Sequence, residues 1–284
     1  MSANWGPDEV QHAVADYFDM LNAEIRHESF NKTAHRRRLQ ARLHERSMGS
    51  VERKHQNISA VLLEMHLPCI DGYKPLYNYQ QRLREEVSTY LAKQPDLLTE
   101  LARLAARVPR DPPTFGAAPA ARLFEAPPAR ADGPQSRPWM GPASALRIDF
   151  ARRDAENRRL GEKGEESVFE YEKQRLLRLR RDDLLRRVRW VSRDEGDGAG
   201  FDILSVDETT ENDKLIEVKT TNLNKYFPFC VTANEVRCSE ARPAEYHLYR
   251  VYDFSRQPRV YDLPGDLNRS CTLVPTTYRA SFAR

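Results

Sequence analysis

Residues 200–220 read GFDILSVDETTENDKLIEVKT, and the fold of the C-terminal half turns on this stretch. Two runs rich in apolar and β-branched residues, FDILSV and LIEVK, flank the polar segment DETTENDK, and the glycines Gly196, Gly198 and Gly200 announce the first run. The pattern predicts two strands joined as a hairpin. Side chains alternate across a strand, so Glu217 and Lys219 share one face of the second strand while Ile216 and Val218 share the other. The hairpin brings Asp202 beside Glu217.

Two carboxylates held close together repel unless a cation lies between them, and hard oxygen ligands suit Mg²⁺ or Mn²⁺. A cation placed there could bind a scissile phosphate, acidify a water and stabilise a leaving oxygen. Lys219 would orient that water or neutralise developing charge. A Glu and a Lys two apart on an exposed strand commonly do no more than keep an edge soluble. Here, however, the charges interrupt strands that are otherwise apolar, where an unpaired charge is costly and calls for a partner.

Working outward, ENRRLGEKGEESVFEYEKQRLLRL (156–179) places Val168, Tyr171, Leu176 and Leu179 at roughly helical spacing, with Gly161 and Gly164 near the start. Glu165 precedes Val168 by three residues. It therefore falls near the buried edge of the helix and can face the strands as a third carboxylate, or act as a first-turn acid favouring the helix dipole. Glu166, Glu170 and Glu172 are expected to be solvated or paired with neighbouring arginines. Downstream, TANE (232–235) matches a capping box, with Thr232 as N-cap and Glu235 reaching back to its backbone N–H.

These segments carry a resemblance. LGEKGE (160–165), GFDI (200–203), EVKT (217–220), NE (234–235) and YRV (249–251) occur in order, and roughly Ile148 to Arg284 resembles the domain named after the C-terminal part of the plant protein NO VEIN, within the PD-(D/E)XK nuclease-like superfamily. The resemblance implies a restriction-endonuclease-like α/β domain with a mixed central sheet. It also implies a nuclease-type site of Glu165, Asp202, Glu217 and Lys219, with Asp202, Glu217 and Glu165 on the metal.

The rest of the chain divides by composition. Nine of its 18 prolines lie between Val108 and Pro142, mixed with Ala, Gly and Arg. Such a stretch reads as an extended, semi-rigid tether over 106–145, separating a helical domain (1–105) from the nuclease-like domain (146–284) in an α+β chain. In the first of these, Val10, Val14, Tyr17, Phe18 and Leu21 form one apolar stripe, Ile58, Val61, Leu62 and Met65 a second, and Leu83, Val87, Tyr90 and Leu91 a third. Between the first two, the basic segment NKTAHRRRLQARLHER, a Ser-Met-Gly turn and a helix capped by Ser50 follow the order of a helix-turn-helix. Arg53, Gln56 and Asn57 would then read base edges, while Arg36, Arg37, Arg38, Arg42, Arg46 and Lys54 clamp phosphates. GSVERKHQNISAVL (49–62) also resembles a module at the N-terminus of bacterial restriction-type endonucleases. A solvated basic face or a protein–protein contact is the competing reading of this domain.

The 284 residues are 40% hydrophobic and 31% charged, a globular composition with a net charge of only +3. Cys69, Cys230, Cys238 and Cys271 show no zinc-ligand spacing, which suits a reduced cytoplasmic protein. No segment resembles a signal peptide or a membrane span. The sequence thus predicts a Mg²⁺- or Mn²⁺-dependent endonuclease acting on duplex DNA, modified duplexes included, of a restriction or phage-defence kind. Cutting both strands would favour a homodimer. A catalytically silent nucleic-acid- or protein-binding adaptor, or an RNase, are the alternatives.

Overall fold

The computed structural model describes residues 4–43, 46–111, 113–115, 123–128 and 150–275, and the side chains of 150–156 are left aside. Two compact units emerge: Met1–Val108, Asp132–Leu160 and Thr221–Pro228 make up one, while Pro109–Ala131, Gly161–Thr220 and Phe229–Arg284 make up the other.

The first unit contains helices α1 (Pro7–Ile25), α2 (Lys32–Arg42), α3 (Met48–Glu64), α4 (Gln81–Ala92) and α5 (Pro95–Ala105). Helix α1 begins with Pro at its first position, where no intrahelical N–H is needed, and Glu9 accepts the Gly6 N–H at 2.7 Å. Asn31 caps α2 by accepting from the Thr33 and Ala34 N–H groups. All three apolar stripes meet in one core. Val14, Tyr17, Phe18, Ile58, Val61, Leu62, Leu83 and Val87 are each fully buried, and Tyr90, half-buried, stacks on Phe18 at 4.4 Å between ring centroids. The expected cap of α3 is corrected. Ser47, not Ser50, accepts the hydrogen bond, from Ser50 N–H at 3.2 Å, so Met48 and Gly49 lie inside the helix rather than in a turn.

The second unit is built on a five-stranded mixed sheet in the order β1-β2-β3-β4-β5, namely Arg189–Trp190, Ile203–Val206, Asp213–Thr220, Tyr246–Tyr252 and Arg259–Pro264. β2 and β3 form the expected antiparallel hairpin, with Ile203 opposite Ile216 and Val206 opposite Asp213. Asp207 Oδ1 closes its turn by accepting from the Thr209 and Thr210 N–H groups. β4 runs parallel to β3, with Glu217 opposite Leu248 and Lys219 opposite Arg250. Such a parallel pair needs a crossover. It includes α8 (Ala233–Ala241), numbered after α6 (Phe150–Arg178) and the short α7 (Val191–Glu195); the terminal α9 is Leu267–Ser270.

The two faces of the sheet differ. Ser205, Lys214 and Tyr249 share the face toward α6, where Glu172 is fully buried and accepts from Ser205 Oγ at 2.7 Å and Arg175 at 2.9 Å. Glu172 is thus paired as one of the two expectations had it, but inside the core rather than at the surface. Gly164 lets α6 approach β3, because a Cβ there would fall 2.8 Å from Thr220 Cβ. The opposite face carries Glu217 and Lys219, and beside them Leu215, Tyr246 and Leu248 form a core with Leu267, Phe229, Val231 and Cys238.

One expectation about the tether is overturned. Phe115 and Leu123 are buried, and Phe124 forms a parallel bridge with Val260 on β5. The Glu125 N–H donates to Val260 O at 2.8 Å, and the Glu125 carboxylate accepts from Tyr252 Oη at 2.6 Å and Arg259 at 3.0 Å. An unpaired sheet edge and an aromatic side chain in ARLFEAPP suffice to dock this piece. Residues 112, 116–122 and 129–145 of the tether lie outside the described residues.

Candidate active site and nucleic-acid interface

The acidic site collects at the end of the β2–β3 hairpin. Asp202 immediately precedes β2, and its Oδ2 accepts the Val218 N–H at 2.8 Å while its own N–H donates to Ile216 O at 3.0 Å. Glu217 is 3% exposed, and its Oε1 lies 2.6 Å from Lys219 Nζ. Lys219 also reaches Glu235 Oε2 at 3.0 Å, so its ammonium is held between two carboxylates. The same Glu235 oxygen accepts the Thr232 N–H at 3.0 Å, and Thr232 Oγ1 accepts the Glu235 N–H at 3.2 Å. The capping box at the start of α8 therefore exists as expected, and it also points a carboxylate at Lys219, which the pattern TANE alone did not signal.

The electrostatics follow from burial and crowding. Burial, and next the Glu165 charge, push Asp202 up to about 7. Glu217 is raised well above the ordinary carboxylate range by burial and by Asp202. The Lys219 ammonium, although buried, is stabilised by Glu217 and Glu235, which raise its pKa. Tyr246, opposite Leu215 in the sheet, adds a fully buried hydroxyl with no hydrogen-bond partner among the described residues, and burial, then Glu217 and Glu235, raise its pKa. Its place beside the acids depends on the β3–β4 register, so no local pattern marked it.

Glu165 does face the sheet, but it is engaged elsewhere. Its Oε2 accepts from Ser192 Oγ at 2.6 Å and from Trp190 Nε1 at 2.9 Å. Among the described residues, no group of three or more His, Cys, Asp or Glu side chains could hold a metal ion together. Glu165, the third carboxylate of the expected set, is thus hydrogen-bonded to Trp190 and Ser192 and acts on Asp202 through its charge, while the Asp202 charge helps to raise Glu217. Two carboxylates still fit a small hard cation, since Mg²⁺ keeps several waters and takes one or two protein carboxylates alongside phosphate oxygens. Val218 N–H engages Asp202 Oδ2 and Lys219 engages Glu217 Oε1.

The approach to Asp202 is fixed by α8. Asn234 Nδ2 donates to Gly198 O at 2.8 Å, and Gly200 adopts φ +83° where a Cβ would come 2.9 Å from Cys238 Cβ and 3.0 Å from Asn234 O. Only glycine meets both demands.

On the helical unit the expected nucleic-acid set divides, and Asn57 and Lys54 are withdrawn from the surface. Asn57 is 6% exposed and donates through Nδ2 to Leu76 O at 2.5 Å and Asn78 O at 3.4 Å, fastening the segment that follows α3. Lys54 is 5% exposed over the Trp5 ring, and burial beside Arg46 lowers its amine to about 8. Arg46 grips both oxygens of Glu9 at 2.7 Å, and Arg36 pairs with Glu52. Arg38 pairs with Asp16 at 3.1 Å, and Gln56, half-buried, accepts the Leu76 N–H through its backbone carbonyl. Arg37, Arg42 and Arg53 are exposed. Three arginines of the basic segment, Arg36, Arg38 and Arg46, thus form ion pairs within the unit, with Glu52 of α3 and with Asp16 and Glu9 of α1.

An α+β chain with an acidic pair and a lysine on one sheet face is what the geometry defines. Residues 164–263 match the family described as Protein NO VEIN, C-terminal, a stretch that takes in Glu165, Asp202, Glu217, Lys219 and Glu235. No curated protein and no solved structure matches the chain. No helix among the described residues is long and apolar enough to cross a membrane.

Proposed function

We propose that the C-terminal unit hydrolyses phosphodiester bonds in DNA, with Mg²⁺ or Mn²⁺ held by Asp202 and Glu217. The observation that carries this reading is the pair itself: the hairpin register sets Asp202 opposite Glu217, burial and the Asp202 charge disfavour ionisation of Glu217, and a lysine is fastened to it. Natural chains retain such an arrangement where a cation or a phosphate resolves it. When bound, the metal would supply charge to polarise the phosphate and to acidify the attacking water. Val218 N–H orients the Asp202 carboxylate, Lys219 meets negative charge developing on the phosphoryl oxygens, Glu235 holds Lys219, and Glu165 raises the local negative potential. Arg37, Arg42 and Arg53 would meet backbone phosphates on the helical unit. A restriction or phage-defence role accords with that division of labour.

One observation favours a second reading, a binding module without turnover. Lys219 already neutralises the site by bridging Glu217 and Glu235, so the buried acids have a partner even without a cation. Incubating the full-length protein with modified and unmodified duplex DNA, single-stranded DNA and RNA, with and without Mn²⁺, separates the readings. Metal-dependent cleavage of duplex DNA is expected. Cleavage of RNA alone would reassign the substrate, and binding without cleavage in any metal would leave the adaptor.

A further inference from the structure

The chain leaves β3 directly after Lys219 and Thr220, and the next eight residues, Thr221–Pro228, belong to the helical unit before the chain returns at Phe229. Their contacts there are specific. Asn222 Nδ2 donates to Ala105 O at 3.1 Å and to Arg107 O at 2.6 Å, satisfying carbonyls at the end of α5. Asn224 Nδ2 lies 2.9 Å from the buried Cys69 Sγ. Tyr226 and Phe227 pack against the helical core, and the Phe227 ring meets His66 edge-on at 5.2 Å. Within the segment, Thr221 Oγ1 accepts the Leu223 N–H and Asn224 Oδ1 the Tyr226 N–H, both at 3.1 Å. The segment has no helix or strand of its own, so its shape depends on these anchors.

We propose that Thr221–Pro228 is a coupling element through which the state of the helical unit sets the position of Lys219 and of the α8 capping box. Two covalent links make this unavoidable if the anchors hold. Lys219 is two residues upstream of the segment, and Thr232, whose cap orders Glu235 against Lys219, is four residues downstream. Both ends of the lysine's setting are therefore tied to a piece of chain that the helices fasten. Anything that orders or loosens those helices biases the site without touching it, which is a differential-stability coupling. The inference rests on placement of the side chains and not on the nuclease reading, so it survives or fails independently of cleavage.

Amide hydrogen exchange on the full chain tests it. Leu83→Ala hollows the helical core on α4, and Asn224→Ala with Phe227→Ala removes two anchors directly. In both variants, exchange at 219–235 is expected to quicken by roughly tenfold or more, while the middle of β4 (Leu248–Arg250) stays at the wild-type rate. Faster exchange across α1, α3 and α4 in Leu83→Ala, with 219–235 unchanged, would overturn the coupling. Should Leu83→Ala fail to fold, the anchor variant decides alone. Unchanged protection of Lys219, Thr220 and Thr232–Glu235 there would refute the proposal, and loss of protection there with β4 intact would support it.

Discussion

Lys219 Nζ lies 2.6 Å from Glu217 Oε1, and the two residues stand on the same face of one strand, two positions apart. The contact is an ion pair on a largely buried surface, where removal of one partner strands the other charge.

Removing either acid should abolish metal-dependent cleavage. Asp202→Ala and Glu217→Ala would each delete half of the proposed two-carboxylate cation site, a loss of about 3 kcal/mol or more of barrier lowering, at least a hundredfold in rate. Cleavage assays with Mg²⁺ and Mn²⁺ measure this, and turnover near wild type in either variant would remove these residues from the chemistry. Lys219→Met should keep metal binding by calorimetry and lose turnover.

The acidic pair should leave a signature in stability against pH. Asp202 has a folded value of about 7, and Glu217 is raised as well. A carboxyl with a folded pKa above its unfolded one contributes stability that is fully present below about pH 4 and is lost as pH rises toward the folded value. The difference in Tm between the metal-free protein and Asp202→Asn should therefore shift against the wild type from about pH 4 to about pH 7. Added Mn²⁺ should raise the wild-type Tm at about pH 8 and do little at about pH 5, where protons compete for the same oxygens. Scanning calorimetry over that range would detect a flat difference, which would speak against the crowded pair.

The basic segment should separate into residues that hold the helices and residues that meet nucleic acid. Asn57→Ala leaves the Leu76 carbonyl without its side-chain donor and should cost about 1–3 kcal/mol of stability. Arg37→Ala, Arg42→Ala and Arg53→Ala should leave the unfolding free energy within about 0.5 kcal/mol of wild type. If the surface binds DNA, each of these three should lower the slope of log affinity against log salt by about one. Fluorescence anisotropy at several salt concentrations reads the slope, and an unchanged slope in all three variants would assign this surface to another partner.

Gly164 should tolerate no side chain. Gly164→Ala drives a methyl into Thr220 and is expected to cost about 1–3 kcal/mol, since the packed helix and sheet cannot both relax. Thr220→Gly in the same chain should recover part of that loss, because the atoms in the way are those of the Thr220 side chain. Chemical denaturation of the four members of the cycle gives the coupling directly. Simple additivity would mean the helix moves instead.

The hairpin, the shared face of Glu217 and Lys219, the three helical stripes and the Thr232 cap could all be read from the chain, because each depends on a period of two or 3.6 or on residues three apart. Local pattern carries that information whatever the rest of the molecule does. Tertiary contacts decided the rest. Lys54 and Asn57 looked like ligands for nucleic acid and became internal because Trp5 and the segment after α3 came to lie over them. Arg46 found Glu9 37 residues away, and Phe124 found an edge strand more than a hundred residues downstream. Glu165 faced the sheet as its position in the helix implied, yet Trp190 and Ser192 determined where its carboxylate went. A polar side chain takes whichever partner the fold brings within about 3 Å, and that choice is settled by elements far away in sequence.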